Sequence, residues 1–174
     1  LEARLPRALA RVAAAGLPVR APTERGRRPR HAVPVMTLRV AAGQLTGPAR
    51  IAELLGWLIL PRPTEPPAGH FVAEVRGRSM DPTLPEGSLC LFGPPGPPPY
   101  TRRVVLVAHR AIPDDETGGH FALKRLRSIR ALADGRRHVT LECVNPDFPP
   151  IVVDTSGDDE PRIIAELVRV LARG

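Results

Sequence analysis

The 22 prolines and 15 glycines of this 174-residue chain are spread along most of its length, and they limit its architecture more than any other feature. Proline removes a backbone donor and clashes inside a helix, and glycine in a regular element costs conformational entropy. The pattern therefore argues against a helical bundle and for short strands joined by many turns. An apolar content of 43% supplies one ordinary core. No apolar run approaches the roughly 18 to 20 residues of a membrane span. The longest, over residues 54–60, is broken by Gly56. Residues 1–17 are interrupted by Arg4, Pro6, Arg7 and Arg11, unlike the continuous apolar core of a signal peptide. The expectation is a cytoplasmic protein with no membrane partner.

Leu1, Leu5, Leu9 and Val12 recur at helical spacing, and Gly16 follows as a stop, so residues 1–16 predict a short amphipathic helix. Arg20, Arg25, Arg27, Arg28 and Arg30 crowd the stretch that comes next. Two readings of this basic stretch, residues 20–30, stay open: a solvated flexible linker, or an arm that contacts DNA phosphates. The expected organisation is an N-terminal helix and basic linker over 1–32 and a domain over 33–174. Within the domain the β-type runs are 35–40, 56–60, 71–75, 88–92, 104–109, 120–127, 138–144 and 151–154, with turn signals between them. Residues 163–171 fit helix or strand by periodicity, and the reading favours strand. Residues 93–99 predict an exposed loop and 114–119 an acidic hairpin tip. Cys90 and Cys143 lie in apolar runs and read as buried free thiols. The five histidines lack zinc-like spacing, so neither metal nor cofactor is expected. Aromatic residues, at 3%, are too few for base-stacking platforms.

Lys124 is the only lysine among 25 lysine and arginine residues. Guanidinium serves wherever this chain needs generic positive charge and stays protonated, so a single amine points to a group that must lose its proton. Phe71 to Val75 alternates as a strand should, and Gly77 then permits a sharp turn that presents Ser79. A serine hydroxyl needs a base to become a nucleophile, and a desolvated lysine can act without histidine. Alternation places Lys124 on the face of Ala122 and Leu126, with Arg125 and Arg127 turned away. A lysine in water, with a pKa of about 10.4, is uncharged in roughly one molecule in two thousand near pH 7, and apolar enclosure favours the amine. The backbone amides of Arg78 and Ser79 are candidates to receive an oxyanion.

The run Phe71-Val72-Ala73-Glu74-Val75-Arg76-Gly77-Arg78-Ser79-Met80-Asp81-Pro82, then Leu84-Pro85-Glu86-Gly87-Ser88-Leu89, then Ala122-Leu123-Lys124-Arg125-Leu126, resembles the LexA/UmuD family of serine-lysine peptidases. Asn145-Pro146 to Pro150-Ile151-Val152-Val153 and Arg39-Val40-Ala41-Ala42-Gly43 extend the resemblance from about residue 33 to the end. Gly77, Met80 and Pro82 complete the serine motif. The resemblance implies a mostly β, signal-peptidase-like fold with a short N-terminal helical arm, Ser79 as nucleophile and Lys124 as general base. It implies self-cleavage at Ala42-Gly43, so that the N-terminal segment is the protein's own substrate, in a switch linked to stress or DNA damage. A glycine after the bond lets the backbone approach Ser79 closely, and a strand ahead of it can lie along the site. Ala-Gly also occurs at Ala15-Gly16 and Ala68-Gly69, and the preceding strand is what selects Ala42-Gly43.

The resemblance further implies a homodimer and a recombinase filament or other DNA-processing partner. One helix cannot build a helix-turn-helix reader, so residues before Val33 do not predict a repressor. They fit the mutagenesis-protein branch, or a peptidase module of a larger DNA-processing protein. A second class of function remains: a non-catalytic protein- or DNA-interaction module on the same fold.

Overall fold

The computed structural model describes residues 6–22, 29–38, 54–60, 68–112, 120–156 and 159–174. Among them run one helix, α1 (Arg7–Ala14), and the strands β1 (Val19–Arg20), β2 (Ala32–Val35), β3 (Gly56–Ile59), β4 (Phe71–Glu74) and β5 (Leu89–Gly93). The chain continues through β6 (Val104–Ala108), β7 (Phe121–Ala131), β8 (Arg137–Glu142), β9 (Ile151–Thr155) and β10 (Arg162–Ala172). All ten strands join one sheet in the order β1-β3-β2-β4-β5-β10-β6-β7-β8-β9. Every pairing is antiparallel except that of β2 with β4, where Val35 meets Val72. The mostly β fold expected from proline and glycine is the fold observed.

Two long strands bend this sheet. β10 pairs with β6 from Arg162 to Glu166 and with β5 from Glu166 to Ala172, with register shifts along the way. β7 pairs with β6 up to Arg125 and with β8 beyond it, with a shift between Leu126 and Ser128. Such shifts add local twist and re-aim the strand. Side-chain alternation then divides the apolar residues among three clusters. Phe71 and Ala73 of β4, Cys90 and Phe92 of β5, Leu106 of β6 and Phe121 and Leu123 of β7 share one. Val105, Val107, Ala122, Leu126, Val139, Leu141 and Val153 fill the second. Val72 and Leu89, on the reverse face of β4 and β5, join Val33, Val35 and Leu58 in the third.

The third cluster also contains Leu9 and Val12 of α1, both fully buried. The described part of the expected 1–32 arm therefore does not stand off from the sheet. α1 lies directly on β3: a Cβ at Gly56 would come within 2.8 Å of the Arg20 carbonyl oxygen and of Leu9, so only glycine permits the approach. Val19 and Arg20, within the expected linker, pair with Leu58 and Trp57. The linker arginines Arg25, Arg27 and Arg28 lie outside the described residues, as does the hairpin tip 114–119.

Several boundaries moved. The strand expected over 35–40, of which residues 39–40 lie outside the described residues, starts earlier, and β2 runs from Ala32 to Val35 with Pro34 inside it. Leu55 and Leu60 donate to the carbonyls of Val35 and His31 on the β3 side, whereas the Met36 amide turns the other way, to Val72. Pro34 shares the parity of Met36, so its missing donor falls on the side where β2 has a single rung, a position that tolerates proline. Gly93 is a buried end of β5 rather than the start of the loop. Residues 163–171 form a strand, as favoured. Cys90 is buried as expected, and burial pushes its thiol up to about 12. Cys143 is only partly buried, because it follows the end of β8, where its Sγ lies 3.4 Å from the Pro149 carbonyl oxygen. Both are free thiols.

Candidate active site

The Ser79 loop begins where β4 runs out. Val75 still bonds the sheet margin, donating to Ser88 and accepting from Gly87. Gly77 then takes φ +79°, a left-handed conformation that side-chain-bearing residues rarely adopt. Two short-range bonds tighten the turn beyond it: the Asp81 amide donates to the Arg78 carbonyl at 3.1 Å and the Leu84 amide to the Met80 carbonyl at 2.9 Å. Met80 and Leu84 turn into the first cluster, each no more than 1% exposed. These anchors hold Ser79 at the sheet surface with 4% exposure.

Lys124 arrives from a different part of the sheet. It lies in the buried first half of β7, opposite Val105 of β6, with Ala122 and Leu126 at the same parity and both 1% exposed. Arg125 and Arg127 are progressively more exposed, and Arg125 approaches Glu142 at 3.8 Å. Lys124 is itself 4% exposed, and its Nζ stands 2.8 Å from Ser79 Oγ. Two residues 45 positions apart, predicted from the chain as nucleophile and base, are thus in direct contact. At this distance a proton can pass between hydroxyl and amine without an intervening water.

A third residue enters, one that the sequence marked only through the family resemblance. Asn145, 7% exposed, donates from its backbone amide to the Ser79 carbonyl at 3.0 Å and from Nδ2 to the Arg78 carbonyl at 3.0 Å. Its own Oδ1 accepts from the Asp147 amide. The Arg78 carbonyl and the Ser79 N–H belong to one planar peptide unit, so the grip on the first orients the second. No local pattern in the sequence announced contacts 67 residues away. Asn145→Asp keeps the side chain's acceptor and loses the Nδ2 donor. It is expected to slow any Ser79-dependent reaction by about tenfold or more, while shifting thermal unfolding by only a few degrees; reaction rate and melting temperature measured together separate the two effects.

The remaining motif positions flank this centre. Gly77 makes the turn, Met80 anchors it from below, and Pro82 closes it, its carbonyl 3.4 Å from an Arg173 guanidinium nitrogen. Ala42 and Gly43 lie outside the described residues. The described residues contain no group of three or more His, Cys, Asp or Glu side chains that could hold a metal. No helix among them is long and apolar enough to cross a membrane.

A family model described as Peptidase S24-like matches residues 34–168. The chain belongs to the Peptidase S24-like family. This is the family to which the LexA/UmuD resemblance pointed, and it is one of serine peptidases. The matched stretch runs from β2 into β10, and includes Ser79, Lys124 and Asn145. A comparison with curated proteins gives no match.

Proposed function

We propose that this protein is a serine peptidase that uses Ser79 and Lys124 to cut its own chain between Ala42 and Gly43, as a switch linked to stress or DNA damage. The observation that carries the reading is the 2.8 Å approach of Lys124 Nζ to Ser79 Oγ, with both side chains shielded from water. A structural lysine would gain more by reaching solvent or a carboxylate than by facing one hydroxyl.

The chemistry starts from the pair. The Ser79 hydroxyl proton passes to the uncharged Lys124 amine as Oγ bonds the Ala42 carbonyl carbon. The carbonyl oxygen becomes an oxyanion, received by the amides of Arg78 and Ser79, the second of which Asn145 orients through the Arg78 carbonyl of the same peptide unit. Collapse breaks the bond to the Gly43 nitrogen, which takes the proton from Nζ. A water molecule then gives a proton to Nζ and its oxygen to the acyl carbon, and Oγ recovers a proton as the ester opens. The products are a carboxylate at residue 42 and an amine at residue 43.

Delivery of the bond to Ser79 is supported by Leu38. It is 4% exposed and shares the first cluster with Met80, the residue after the nucleophile. The four residues from Leu38 to Ala42 reach at most about 14 Å. Holding both partners in one chain removes the entropic cost of bringing them together.

Purified protein held between pH 7 and pH 10 is expected to yield pieces 1–42 and 43–174 by mass spectrometry, and Ser79→Ala to yield neither. An unchanged chain at every pH, with and without a recombinase filament on single-stranded DNA, overturns the reading. If instead residues 20–30 bind DNA in a strongly salt-dependent way and Ser79→Ala leaves that function intact, the interaction-module reading takes its place.

A further inference from the structure

We infer that cutting this chain between β2 and β3 does not release the N-terminal piece: residues 6–22 and 29–38 remain seated on the rest of the domain, and the cut protein is a nicked two-piece fold. The inference rests on the proposed self-cleavage for its biological occasion. Its physical basis is independent of that cleavage, because a break anywhere in residues 39–53 has the same consequence.

The topology supplies the first reason. Residues 39–53 lie in the connection between β2 and β3, and those two strands pair antiparallel, Ala32 with Ile59 through Val35 with Gly56. A cut in the connection therefore separates two strands that remain bonded side by side. β2 is also an interior strand, held on its other edge by β4, where the Met36 amide donates to Val72 at 2.9 Å. Upstream, β1 pairs with the far edge of β3, and the Ile59 amide donates to Pro18 at 2.8 Å. β3 thus lies between two strands that both belong to the shorter piece.

Burial supplies the second. Leu9, Val12, Ala32, Val33 and Val35 are at most 1% exposed, and Met36 and Leu38 at most 7%. Four of them pack with Leu58, Val72 and Leu89 of the longer piece, and Met36 and Leu38 with Phe71, Met80 and Leu84 beside the nucleophile. Departure of the short piece would strip both clusters at once.

Charge supplies the third. Arg11 of α1 reaches Glu74 at 3.1 Å, and that carboxylate is 6% exposed at the end of the strand leading to Ser79. Its other oxygen is buried with no hydrogen-bond partner. Removing the helix would leave an almost buried carboxylate without its main cation, which resists separation. The surface offered by β3, β4 and Glu74 thus fits one partner: an extended strand and a basic amphipathic helix, as this chain's own residues 6–22 and 29–38 provide.

The test separates retention from self-cleavage. A Ser79→Ala chain carrying a site-specific protease sequence among residues 44–50 is nicked by that protease, and the wild type is left to cut itself. Both nicked proteins are expected to elute as the intact chain does, to show its mass plus one water under native conditions, and to separate only in denaturant. Leu9→Ala with Arg11→Ala should raise the rate at which the short piece leaves at least tenfold. Loss of the short N-terminal piece on the column from either nicked protein overturns the inference. A wild type that never cuts itself, beside a nicked variant that holds together, sinks the proposed function and leaves the inference standing.

Discussion

Lys124→Arg is expected to be as inactive in self-cleavage as Lys124→Ala, with the rate lowered roughly 10²- to 10⁴-fold, the contribution of a positioned general base. By charge alone the change is conservative. The role requires a group that exists without its proton, and guanidinium stays protonated throughout the accessible range. Arginine is also the residue this chain uses at its other 24 basic positions, the 25 lysines and arginines less Lys124, so the replacement is typical in every respect except the chemistry. A merely structural pair would behave differently. Arginine can donate to Ser79 Oγ as an ammonium does, and a hydrogen bond held only for stability would survive the exchange in part. Any rise that the wild-type rate shows between pH 7 and pH 10 should be absent from Lys124→Arg. Intact-mass measurement of both pieces over time gives rate and pH profile in one experiment. Circular dichroism confirms that the bulkier guanidinium has not unfolded a site where the native amine is 4% exposed.

The serine and the lysine were legible in the sequence because their chemistry is local in kind. One amine among guanidinium groups sets Lys124 apart, and the ordered motifs around Gly77, Ser79 and Lys124, through the family resemblance, join it to the serine. The strands were legible for a similar reason: a short run such as 71–75 or 104–109, bounded by turn signals, is a property of a few adjacent residues. What alternation could not give was neighbourhood. Inserting β10 between β5 and β6 joins residues 162–172 to strands begun more than 50 positions earlier, and nothing in the apolar pattern of 163–171 encodes that choice. Asn145 shows the same limit at the site, since its two bonds to the Ser79 loop depend on how the end of β8 meets the end of β4. The start of β2 was missed because nothing in residues 32–35 shows that Pro34's missing donor falls on the side where β2 has a single rung.

The largest consequence of non-local packing concerns α1. Read from sequence, residues 1–16 form a helix ahead of a basic linker, and an appended helix of that kind contributes little to the domain behind it. In the structure Leu9 is fully buried against Gly56 and the third cluster. Leu9→Ala is accordingly expected to destabilise the whole domain by about 2–5 kcal/mol, the cost of deleting a buried leucine side chain and leaving part of its volume empty. For a chain of this length each kcal/mol lowers the melting temperature by roughly 2–4 °C, so the loss is large enough to read by calorimetry. Ala13→Ser, on the exposed face of the same helix, should stay within about 0.5 kcal/mol. If Leu9→Ala were equally silent, α1 would be an independent arm, and no retention of a cut N-terminal piece could depend on it. A loss confined to Leu9 makes the helix part of the peptidase core. The proposed self-cleavage would then act by freeing two new chain ends beside an intact fold, with Arg11 still joining the helix to the strand that leads to Ser79.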